Sequence, residues 1–62
     1  MKVKEKYEKR LLSYVENQSL SLEKTLIRIA SYCTALFDVG ELTMQERAEL
    51  SAKYSQMATD RK

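Results

Sequence analysis

The sequence predicts an all-α protein, and three observations carry that prediction. Its 62 residues contain no proline and a single glycine, which leaves little material for the many turns that strands require. From Leu12 onward apolar residues recur at helical spacing rather than in alternation. The stretch Gly40-Glu41-Leu42-Thr43-Met44-Gln45-Glu46 sets a helix stop directly before a helix start. Glycine enters the left-handed conformation that ends a helix without steric cost. Thr43 and Glu46 have the spacing of a capping box, in which side chain and backbone of the two residues satisfy each other's N–H groups.

The first element opens on a charge-rich segment. Lys2, Lys4, Lys6, Lys9 and Arg10 against Glu5 and Glu8 give +3 there, whereas residues 11–62 sum to −1, so the net charge of +2 sits at one end. Leu12, Val15, Leu22, Leu26, Ile29, Cys33 and Leu36 then follow in alternating steps of three and four, with Ser19 as a polar occupant, which is a heptad seam. Arg10, Asn17, Lys24, Ser31 and Asp38 fall on the opposite, polar face. Leu11, Leu20, Ile27, Tyr32, Phe37 and Val39 widen the apolar side. The pattern predicts one helix over about residues 4–38, roughly 50 Å long at 1.5 Å per residue, with Leu26 and Ile29 at its buried centre and Lys24 and Ser31 in water.

Asn17-Gln18-Ser19-Leu20-Ser21 is the weak point of that helix, because asparagine and serine compete for backbone hydrogen bonds and prefer caps. With Ser19 or Ser21 as an N-cap and Glu23 in the first turn, the alternative is a three-helix bundle broken near Ser19. The phase of the seam continues through Ser19, which favours the unbroken helix.

After the turn at Gly40, a second helix is predicted over about 44–59. Leu50, Tyr54 and Met57 form its stripe, flanked by Ala48, Ala52 and Ala58, and Glu49 stands one turn before Lys53 as an i,i+4 pair. Such a helix is half as long as its partner and leaves Leu11, Leu12, Val15 and Leu22 uncovered, with Tyr7 and Tyr14 at the rim. An exposed apolar patch of this kind marks an interface. These six residues are therefore the candidate partner surface, and the expected architecture is a helical hairpin that dimerises into a bundle as a homodimer.

A single domain of this length is marginal alone and is usually reinforced by disulfides, metal or association. One cysteine and no histidine leave neither a disulfide nor a zinc ligand set. No cofactor or metal is expected, and Cys33, on the seam, reads as a buried free thiol. No apolar run is long enough for a membrane span or signal-peptide core, so no membrane association and a cytoplasmic location are expected. With neither a phosphate loop nor a nucleophile motif, an enzyme is not expected. Tyr7, Arg10, Tyr14 and Gln18 step by three, four and four, so on a continuous helix they share one face with Lys4 and Lys6. Lys4, Lys6, Arg10, Tyr14 and Gln18 form a candidate nucleic-acid face, since cations meet phosphates and aromatic rings stack on bases.

The residues from Glu5-Lys6 through Tyr14-Val15 to Gln18-Ser19-Leu20-Ser21-Leu22 and Leu26 resemble the Rop family of small plasmid-encoded RNA-binding regulators. That resemblance implies a four-helix bundle of two hairpins, with Tyr14 and Gln18 among the RNA-contacting side chains. The turn near Gly40 and the unequal helices depart from the family's symmetric hairpin. The sequence thus leads to a single-domain, non-enzymatic regulator or adaptor that binds another protein, with RNA or DNA as the alternative ligand.

Overall fold

In the computed structural model, which describes residues 3–62 with side chains from Glu5 onward, the chain forms three helices: α1 (Val3–Glu16), α2 (Leu22–Asp38) and α3 (Met44–Arg61). The all-α prediction holds. The single long helix does not: the chain breaks where asparagine and serine cluster, and the three-helix alternative is the one adopted.

Local chemistry makes that break. Asn17 Oδ1 accepts from the Ser19 N–H at 2.9 Å, and the Leu20 N–H donates to the Asn17 carbonyl at 3.2 Å, so the segment turns on its own hydrogen bonds. Ser21 then caps α2, its backbone extended at φ −66° and ψ 164° and its Oγ accepting from the Lys24 N–H at 3.2 Å. A cap of this kind contributes about 1 kcal/mol. Glu23 lies in the first turn of α2, where a carboxylate favours the helix dipole.

The second connection follows the sequence prediction closely. Gly40 has φ +83°; its N–H donates to the Phe37 carbonyl (3.0 Å) and that of Glu41 to the Leu36 carbonyl (2.9 Å), the paired bonds of a Schellman motif. Three residues later Thr43 Oγ1 accepts from the Glu46 N–H at 3.1 Å, and Glu46 Oε1 accepts from the Thr43 N–H at 2.9 Å. Both halves of the capping box are made. Leu42, buried between stop and start, anchors the turn.

The core gathers Leu11 and Val15 from α1, Ile29 and Cys33 from α2, and Tyr54 and Ala58 from α3. α3 packs most extensively against α2, and the molecule measures 30 × 22 × 16 Å along its principal axes. The buried positions advance by four in every helix: Tyr7, Leu11 and Val15; Thr25, Ile29 and Cys33; then Tyr54 and Ala58. The heptad seam shares Val15, Ile29 and Cys33 with this core but also contains Leu12 and Leu26, which are half-buried at its flanks, so of the two residues expected at the buried centre Ile29 is there and Leu26 is not. Short helices that cross one another need not keep the 3.5-residue period that holds two long helices together. Lys24 and Ser31 are exposed, as expected.

Candidate nucleic-acid interface

Folding α1 back on α2 and α3 changes which residues are available at the surface. Of the six candidate partner residues, Leu11 and Val15 are 0% and 2% exposed within one chain. Tyr7 is buried as well, its hydroxyl donating to Glu41 Oε2 at 2.8 Å. Leu12, Tyr14 and Leu22 pack against the same core as half-buried flanks. The apolar surplus expected to stay open is closed intramolecularly, because the break lets the first part of the seam cover the second.

The candidate nucleic-acid face is also rearranged. Lys6 and Arg10 stand exposed on α1 and Tyr14 is half-buried beside them, whereas Gln18 lies in the loop beyond the end of α1. It belongs to a different cleft, shared with Glu16, Leu20, Arg61 and Lys62. The side chain of Lys4 lies outside the described residues.

Lys6 and Arg10 are joined by three residues outside the candidate face. Lys6, Lys9, Arg10 and Ser13 of α1, together with Tyr32 of α2, line a groove of about 640 Å³ between the two helices. Spacings of three, four and seven from Lys6 put Lys9, Arg10 and Ser13 on one side of α1, a signal the sequence contained. The contribution of Tyr32 depends on the chain reversal at Asn17–Ser21 and had no local signal.

No carboxylate lines this groove. Among the described residues, Lys6, Lys9 and Arg10 pair with no acidic side chain; the guanidinium of Arg10 instead lies 6.0 Å from the centre of the Tyr14 ring. Tyr32 packs edge to face with both Tyr7 (6.3 Å between ring centres) and Tyr14 (6.1 Å). Burial pushes the Tyr32 hydroxyl above the usual phenolic range, with Arg10 pulling the other way.

The side of α1 facing α3 is chemically the reverse. There Glu8 Oε1 accepts from Lys53 Nζ at 3.0 Å and from the Tyr54 hydroxyl at 2.9 Å. Burial and the Glu8 carboxylate raise the pKa of Tyr54 to about 12. The expected pairing of Lys53 with Glu49 is not formed, since Lys53 reaches across to Glu8 and Glu49 accepts from Gln45 Nε2 at 3.0 Å.

The remaining reactive group is Cys33, a fully buried free thiol whose pKa is raised by burial, with Arg47 opposing. A thiol kept neutral behaves as a small hydrophobe. Among the described residues no group of three or more His, Cys, Asp or Glu side chains is placed to hold a metal ion, and no helix is long and apolar enough to cross a membrane.

Compared with family models, curated proteins and solved structures, the chain matches none. The hairpin implied by the resemblance to the Rop family is not the geometry adopted: α1 ends at Glu16, so Tyr14 and Gln18 do not share a helical face.

Proposed function

We propose that this protein is a small non-enzymatic regulator that binds nucleic acid through the groove between α1 and α2. The observation carrying this reading is the cluster of Lys6, Lys9 and Arg10 around Tyr32 in a groove that no carboxylate lines, Glu5 and Glu8 lying on the other side of Lys9. Three cations in one groove form the electrostatic footprint of a phosphate-binding surface, although the chain as a whole carries only +2. The competing reading, a protein partner or second copy docked on an open apolar seam, loses its support once Leu11 and Val15 are buried within the chain. A reducing cytoplasm is the compartment that suits the free thiol of Cys33.

The test is fluorescence anisotropy of labelled DNA and RNA oligonucleotides titrated with the full chain at several salt concentrations. Binding should weaken steeply as salt rises, because released counterions drive it. Reversing Lys6, Lys9 and Arg10 together to glutamate should abolish binding while helical circular dichroism is retained. Affinity that survives the triple reversal would refute the groove and return the protein-partner reading to first place.

A further inference from the structure

We infer that the α1–α2 groove reads the phosphodiester backbone of duplex nucleic acid and makes no use of base identity. This rests on the nucleic-acid reading of the same groove and follows from what the tyrosines beside it are doing. Proteins that hold single strands combine a cationic groove with free aromatic faces on which bases stack. Here the rings are engaged with one another. Tyr7 is buried with its hydroxyl bonded to Glu41, Tyr32 is packed edge to face with both other rings, and Tyr14 carries the Arg10 guanidinium as well as Tyr32.

The polar lining points the same way. Asparagine and glutamine, which read adenine edges, are absent from the groove wall, and the Ser13 hydroxyl already donates to the Arg10 carbonyl at 2.6 Å; the one forked side chain that could read guanine, Arg10, has its guanidinium against the Tyr14 ring. What remains is cationic charge on flexible stems. Lys6 and Arg10 stand one turn apart, about 6 Å along the helix axis, and Lys9 lies beside them. A duplex presents one phosphate charge per about 1.7 Å of axis, against about 3.4 Å along one of its strands. Without stacking to compensate, the denser array is the better ligand.

The experiment measures binding of the full chain to an A·T-rich duplex, a G·C-rich duplex and a single strand, each of about 20 nucleotides per strand, and to phosphatidylserine-rich vesicles. The two duplexes should bind within about twofold of each other and more tightly than the single strand, with log affinity falling against log salt at a slope of about −2.7 for three phosphates. Lys6→Gln, Lys9→Gln and Arg10→Gln should each flatten that slope by about 1. Tyr14→Leu, checked for retained helicity, should leave duplex affinity unchanged.

A preference of more than about tenfold between the duplexes, the size a base-reading contact produces, would overturn the inference while leaving nucleic-acid binding intact. So would a single strand that binds more tightly than either duplex. Failure to bind any nucleic acid, with or without binding to the vesicles, would overturn both the inference and the function on which it rests.

Discussion

The two connections between helices are built on opposite principles. The turn from α2 to α3 is specified within the eleven residues from Leu36 to Glu46, which hold the Gly40 left-handed cap, the two Schellman bonds to Leu36 and Phe37, and the Thr43–Glu46 box. The loop from α1 to α2 has weaker local chemistry, an asparagine turn and one serine cap. It also takes an anchor from the far end of the chain. The three N–H groups of the Lys62 ammonium meet the carbonyls of Asn17 (3.0 Å) and Leu20 (3.0 Å) and Thr25 Oγ1 (2.6 Å), with the Tyr14 carbonyl sharing one of them at 3.4 Å. A carbonyl in the last turn of α1 and two in the loop after it thereby face a cation, and the hydroxyl of fully buried Thr25 gains a second bond beside the one it donates to the Ser21 carbonyl. One connection forms from its own sequence; the other needs the tertiary structure.

The largest test of this difference is to remove the local chemistry of the first loop. Replacing Asn17, Ser19 and Ser21 together with alanine substitutes strong helix formers for residues that prefer caps and turns. The expected outcome is fusion of α1 and α2 into one helix, which would expose the core residues Leu11, Val15 and Ile29 and drive self-association. Sedimentation equilibrium should show the parent as a monomer at micromolar concentration and the triple variant as a dimer or larger. A variant that stays monomeric with unchanged helicity would show that the core, rather than the loop residues, decides the reversal.

Next in size is the cap at Gly40. Nothing lies within 4 Å of a Cβ built there, so a substitution meets backbone strain alone. At φ +83° Gly40→Val should cost roughly 1 to 3 kcal/mol, whereas Gly40→Asn should cost less because asparagine tolerates the left-handed region. Thr43→Ala, which removes the other half of the turn, should cost about 1 kcal/mol. Denaturant melts of the three variants would rank them, and an order with Thr43→Ala as the worst would show that the capping box, not the glycine, governs the turn.

The same contrast explains what the sequence revealed. Gly40, Thr43 and Glu46 act on near neighbours, so their geometry was legible residue by residue. Ser21 was legible as a cap, but the continuous phase of the heptad pattern outweighed it, and that phase proved compatible with a chain folded back on itself. Choosing between the two required knowing that each helix buries positions four apart, with Thr25 inside and Leu26 at the flank, which only the packing of three helices decides. Of the groove, Lys6 and Arg10 are exposed cations, and Lys9 and Ser13 follow from their spacing on α1. The place of Tyr32 in the groove, like that of Lys62 at the first loop, has no local signal, since both depend on residues brought near only after that loop has formed.

The smallest expected effect isolates the long-range anchor. Lys62→Met keeps an apolar stem and removes the ammonium, leaving the carbonyls of Tyr14 and Leu20 to water, the Asn17 carbonyl with only its bond from the Leu20 N–H and Thr25 Oγ1 with only its bond to Ser21. Because the Lys62 side chain is largely exposed, solvent replaces part of what is lost, and the cost should be about 1 kcal/mol, near that of an ordinary hydrogen bond. The effect should be local: amide exchange should quicken at Leu20 and Thr25, whose N–H groups bond to Asn17 and Ser21, while Gly40 and Glu41 keep their protection. Uniform loosening of both connections would mean that they form one cooperative unit, and no change at Leu20 or Thr25 would show that the first loop holds without Lys62.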